Sequence, residues 1–409
     1  MRMREQGTRR NLAVGTRAQG VAVLTVLAIL VLVFPVQGTA QQTRVTAASQ
    51  VNLNYGETQT VSRGVTYTEF VVRNPEGRSE GDLLNVNLKN TNVSTDLLFP
   101  GAVAARDEVS DMAENANAVA AVNGDFFDIG KTNAPKGPAI ADGHRLKASL
   151  PNRQNVFAVS RKGVARLHRI SLQGRIRTPD DALVLDGLNQ SALEVGGIVA
   201  FTPVWGAATR KRATCVTSRD ATCSKNTTEV VVRDHVVTEV RQEPGSGAIP
   251  KGTFILVGRE AGADELREKL QPGEHVRMRS ELSSQLGGPL EFAIGGNPIL
   301  LRDGVVPQVG LGDPELAPRT AAGASRDGRR LYLVTVDGRS AKSVGLRTKE
   351  VAEMMRKLEA DDALNLDGGG SSTLVAREPG GQHVTVQNVP SDGSQRRVAT
   401  GIGIFSSGG

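Results

Sequence analysis

Two aspartates each close an apolar run and open onto glycine. Asp337-Gly338-Arg339-Ser340 follows Leu331-Tyr332-Leu333-Val334-Thr335-Val336, and Asp367-Gly368-Gly369-Gly370-Ser371-Ser372-Thr373 follows Ala363-Leu364-Asn365-Leu366. A carboxyl at a strand end can act as general acid, base or nucleophile. Two held close together cannot both ionise cheaply, so one stays protonated near neutral pH unless a cation intervenes. Consecutive glycines lose much conformational entropy on folding and so need a reason. One reason is a loop without side chains whose N–H groups approach a phosphate or a sugar, with Asp367 and the hydroxyls aimed at it. The other is a hairpin turn using positive φ, for which Asp-Gly is a good dipeptide. The stretch by itself leaves both open.

Other chemistries find less support. His144, His168, His235, His275 and His383 are scattered and lie outside these stretches. No Gly-x-Ser-x-Gly elbow is present, and no lysine follows the glycines as in a nucleotide-binding P-loop.

The elements that must position the two aspartates are readable. Thr348 is placed to cap a helix to about Ala360, with Val351, Met354, Met355 and Leu358 at helical spacing. Strand, helix and strand form a crossover, which makes the two strands parallel and often neighbours, about 4.8 Å apart. Upstream, residues 65–72 and 82–88 have strand character, 107–117 a short helix, and 118–122 a buried strand leading into Asn123-Gly124-Asp125-Phe126-Phe127-Asp128. Residues 263–270 suggest another helix, and the polar stretch 41–60 an irregular lead-in. With 46 glycines, many turns and short strands are expected. The fold class is α+β: mixed, largely antiparallel sheets with a few packed helices and a C-terminal strand-helix-strand unit.

Residues 1–40 resemble a secretory signal. Five arginines precede the apolar run from Val21 to Val36, which ends at Pro35 and the small residues Gly38-Thr39-Ala40. The run is shorter than the roughly 18 residues of a spanning helix, so cleavage near Ala40 is expected, and any membrane contact would come through an uncleaved signal. These 40 residues also hold most of the formal net charge of +6, so the remainder is nearly neutral and implies no nucleic-acid partner. Cys215 and Cys223 flank a polar segment and, in an exported chain, form a local disulfide. Two cysteines with only His235 nearby do not make a zinc site.

Several stretches together resemble the phosphodiester glycosidase domain family. They are residues 121–128, Gly296-Asn297-Pro298-Ile299-Leu300, Pro318-Arg319-Thr320-Ala321-Ala322-Gly323, residues 334–339, residues 363–373 and Arg397-Val398-Ala399-Thr400-Gly401-Ile402-Gly403. They occur in the family's order. The first motif commonly reads Asn-Gly-Gly-Phe-Phe, so Asp125 is a departure. The resemblance implies an exported hydrolase, secreted or held in the cell envelope, that releases the free sugar from a sugar-1-phosphodiester and leaves a phosphomonoester. Its catalytic pair would be Asp337 and Asp367. Arg319, Arg339 and the Gly368, Gly369 and Gly370 backbone would meet the phosphate. Asn123, Asp125, Asn297, Thr320, Ser371, Ser372 and Thr373 complete the expected substrate contacts, and Phe126 and Phe127 offer an apolar wall or core packing. The implied organisation is a signal over 1–40, N-terminal strands over 41–114, and a catalytic domain over 115–409 with an inserted disulfide-bearing segment near 204–243.

No cofactor is expected to be required. One rival keeps a divalent cation open: Asp125, Asp337 and Asp367 would hold it and attack would fall on phosphorus. A secreted carbohydrate-binding protein without turnover is the other.

Overall fold

The computed structural model describes residues 51–215, 222–284 and 288–407, all within one compact unit, Ala48–Gly409. The expected signal, residues 1–40, lies outside the described residues. No helix among those described is long and apolar enough to cross a membrane.

Among the described residues the fold is dominated by sheet, with 45% strand and 11% helix, more one-sided than the sequence suggested. Four sheets carry it. A seven-stranded antiparallel sheet has the order Asn52–Ser62, Val65–Asn74, Gly77–Asn87, Arg330–Val336, Arg319–Ala324, Asp362–Asn365, Ile299–Leu301. A five-stranded sheet runs Val384–Val386, Leu374–Arg377, Ala120–Asn123, Gly401–Ser406, Val93–Leu98. A second seven-stranded sheet includes Asn155–Ser160, Ala165–Arg177 and Leu290–Gly295, and another five-stranded one centres on Thr253–Arg259. A shared apolar core, including Leu84, Val122, Phe157, Leu333, Leu364 and Ile402, lies between them.

Three sequence expectations are corrected. Residues 52–62 form a strand rather than an irregular lead-in. This polar stretch is legible only as an edge strand, mostly exposed and paired on one side with Val65–Asn74. Thr348 is not the cap of its helix, which runs Thr348–Lys357. The Glu350 carboxylate accepts the Arg347 N–H at 2.8 Å, closing the first turn from one residue earlier. The third correction concerns the strands beside that helix. Arg330–Val336 and Asp362–Asn365 are both antiparallel to Arg319–Ala324, which lies between them. They run in the same direction but are not neighbours.

The helix Thr348–Lys357 covers one face of this sheet as its spacing predicts. Val351, Met354 and Met355, with Leu358 just beyond, pack on Ala321, Tyr332, Val334 and Ala363. Part of the segment near 204–243 is built into a sheet, because its Thr227–Arg233 strand pairs on both sides with Val236–Arg241 and Thr253–Arg259. The Cys215–Cys223 disulfide is formed. Buried Glu229 ties the preceding turn to the sheet, accepting from Arg210 Nε at 2.8 Å, from Arg241 and from the Gly245 N–H at 3.0 Å.

Candidate active site

Strand alternation places Thr335 and Asp337 on the sheet face opposite the helix, in line with Leu331 and Leu333. The neighbouring strand continues the pattern, with Asp82 opposite Thr335, Leu84 opposite Leu333 and Val86 opposite Leu331. On the other side Thr320 faces Thr335 and Ala322 faces Leu333. Three strands thus change from apolar to polar toward one edge of the sheet. Asp337 and Asp367 both follow strands that end at that edge, where Arg319 begins its own.

The edge does not make the two aspartates an adjacent pair. With one strand between theirs, the two strand backbones are about 9.6 Å apart, and each carboxyl has other company. Asp337 accepts from the Asn388 amide at 3.3 Å and the Val389 N–H at 3.1 Å. Burial raises its carboxyl to about 6, with Glu80 adding to the rise against those two donors. Burial also raises Asp82 to about 7, and the charge of Asp337 adds to that despite hydrogen bonds from Tyr67 (2.7 Å) and Thr335 (3.1 Å). Asp82 and Asp337 open onto one cavity of about 470 Å³.

Asp367 is half-buried, and burial raises its carboxyl too. Its ionised form is favoured by hydrogen bonds from the Ser371 hydroxyl and the Gly368 N–H and by the charges of Arg396 and Lys136. The like charge felt by Asp125 comes from Asp367.

Each glycine of the loop has its own reason. A Cβ on Gly368 would stand 2.7 Å from the Pro318 carbonyl oxygen. Gly369 has φ of 60°, where a side chain is strained, and Arg339 lies over it. A Cβ on Gly370 would collide with Asp392 and Arg396. The Gly369 N–H donates to Pro318 at 2.9 Å, so it and the Gly368 N–H are taken by the protein. Ser371, Ser372 and Thr373 are buried. Ser371 sits between Asp367 and Arg396, and Ser372 accepts from Thr320 at 3.2 Å.

Asn123 and Arg319 also turn inward. Asn123 is fully buried. Its oxygen accepts from the Thr320 hydroxyl (2.7 Å) and the Thr373 N–H (3.0 Å), and its amide donates to the Asp367 carbonyl (2.7 Å). Arg319 is a buried strap, reaching Leu346 O at 2.7 Å, Asp313 at 2.9 Å and Glu315 O at 2.7 Å. Asp125 packs against Gly137 and Gly295 and accepts the Gly137 N–H at 2.5 Å. Burial raises its carboxyl and lowers the nearby Lys147 ammonium. Phe127 joins the core, whereas Phe126 is half-buried.

Asn297 and Arg339 remain outward, the latter bound to Glu315 at 2.8 Å. Arg396 and Lys136 escaped the sequence reading, although Arg396 immediately precedes the 397–403 motif and Lys136 sits between Pro135 and Gly137. Asp82 was missed as well; an acid on the inward face of an alternating strand was its signal. Among the described residues no three His, Cys, Asp or Glu side chains converge to hold an ion, so Asp125, Asp337 and Asp367 do not share a cage.

Residues 226–405 match the model of the phosphodiester glycosidase family. The resemblance read from the motifs is borne out. The first motif, residues 121–128, lies outside the matched span. N-acetylglucosamine-1-phosphodiester alpha-N-acetylglucosaminidase of Mus musculus is 39% identical over 80 residues, 20% of this chain and 14% of that protein. The match therefore spans a small part of the curated relative. A hypothetical protein from Synechocystis superposes with a TM-score of 0.69 at 22% identity, over 88% of this chain and 68% of its own. A protein of Burkholderia pseudomallei K96243 gives 0.67 at 19% identity, over 87% and 97%. These two likenesses are of fold.

Proposed function

We propose that the chain is an exported hydrolase cleaving the glycosidic bond of a sugar-1-phosphodiester, with Asp367 at the reacting centre. The observation that carries the reading is the setting of Asp367: a half-buried carboxyl that feels the charges of Arg396 and Lys136, beside a glycine loop on which Arg339 also lies. An anionic phosphodiester needs such cations, and its glycosidic carbon needs a carboxylate to act as base or nucleophile. A phosphoryl leaving group is already good, so less depends on the acid. Asp337, raised to about 6, is assigned that part. Asn297 and Arg339 are left to meet substrate, while Asn123, Thr320, Ser372 and Thr373 hold the loop in place and Arg319 straps Asp313, Glu315 and Leu346. The Cys215–Cys223 disulfide and the apolar N-terminal run support export.

Hydrolysis of a sugar-1-phosphodiester in ¹⁸O-water, with and without chelator, tests this. Label in the released sugar supports glycosidic cleavage. Label in phosphate would move attack to phosphorus, and binding without product would leave a carbohydrate-binding protein.

A further inference from the structure

We propose that a cationic cavity beside Asp125 and Asp367 binds the acidic group of a charged sugar unit, so that the substrate carries a phosphate or carboxylate in addition to the scissile phosphodiester. As a substrate subsite, this rests on the function proposed above. The cavity holds about 170 Å³ and is lined by Lys136, Lys147, Arg153, Arg212, Asp128 and Gln190, among others.

Three cations, Lys136, Arg153 and Arg212, face one carboxylate there, and that carboxylate is engaged. Asp128 accepts from Arg212 at 3.3 Å and from the Thr132 hydroxyl at 3.0 Å. Lys147 spends its amine on the carbonyls of Gly137 (3.0 Å) and Ala148 (2.7 Å), and burial lowers its ammonium to about 7, so it adds a partial charge at the floor rather than a contact. Like charges gathered in a partly enclosed space favour an anion.

A second observation gives the anion its hydroxyls. Gln190 is 2% exposed. Its Nε2 donates to Ala192 O at 2.8 Å, which fixes the amide orientation and leaves Oε1 buried without a donor. A sugar hydroxyl would satisfy it, whereas a bare anion would not. The cavity also acts on the proposed reacting centre, since the charge of Lys136 is felt by Asp367 and that of Arg153 by Asp125.

The test is calorimetric titration of the mature chain with glucose 6-phosphate, glucuronate, glucose and inorganic phosphate. At least one acidic sugar is expected to bind tenfold or more tightly than both glucose and inorganic phosphate, and the two acidic sugars compared decide between phosphate and carboxylate. Arg153→Gln should cost that ligand about tenfold, and Gln190→Leu should remove its advantage over inorganic phosphate. Lys136→Gln replaces Arg153→Gln if the latter does not fold. Equal binding of glucose, or no effect of removing the cation, overturns the inference. Turnover of a sugar-1-phosphodiester without a further charge is measured separately. Turnover with no acidic-sugar binding sinks the subsite alone, and binding with no turnover sinks the enzymatic reading alone.

Discussion

The side-chain amide of Asn123 donates to the backbone carbonyl of Asp367 at 2.7 Å, joining residues 244 positions apart. With its oxygen on Thr320 and Thr373, this one side chain fastens the glycine loop to two sheets. Asn123→Ala leaves the Asp367 carbonyl and the Thr373 N–H without this partner, each worth about 1–3 kcal/mol, whereas the Thr320 hydroxyl keeps Ser372. The expected result is a loss of about 3 kcal/mol in denaturant unfolding and faster amide exchange over residues 367–373. An unchanged midpoint would show that the loop holds itself.

Asp367→Asn keeps the shape of the side chain and removes its charge. Turnover should fall roughly a thousandfold or more, equivalent to about 4 kcal/mol of transition-state stabilisation, with the fold intact by circular dichroism. Activity retained in this variant takes Asp367 out of the mechanism.

Arg396→Gln withdraws a positive charge that holds the Asp367 carboxyl down. That carboxyl should then titrate at higher pH, and the acid limb of kcat/KM should move upward with it. KM for the phosphodiester should also rise. A limb that stays in place would mean that another group sets it.

Burial pushes the Asp82 carboxyl up to about 7 in the folded chain, well above the ordinary carboxylate range of about 4. The folded state therefore binds the proton more tightly than the unfolded state, and stability falls as pH rises from about 4 to 7. The fall is at most about 1.4 kcal/mol per pH unit. Asp82→Asn should flatten this slope and make the variant more stable than the parent at pH 8. Parallel stability curves for the two proteins would refute the assignment.

The helix over 348–357 was legible because its apolar spacing is local, and so were the strands running into Asp337 and Asp367. Which strand lies between them was not. Arg319–Ala324 precedes both in the chain, and only the long-range register inserts it. The same limit explains Arg319 and Asn123, whose residue types suit a ligand as well as they suit the internal partners the structure gives them. Asp82 and Lys136 join the candidate site through strand pairing and loop placement, which no local spacing records.

The three glycines fail for unrelated reasons when substituted, and each failure has a different remedy. At Gly369 the obstacle is the backbone itself, so a D-residue would be accepted where alanine is strained. At Gly370 the obstacle is the Asp392–Arg396 pair, so alanine would need both of those side chains shifted or trimmed. At Gly368 the obstacle is a main-chain carbonyl, which no side-chain change elsewhere can trim. Adjacent identical letters thus encode three separable constraints, and an engineer could relax two of them.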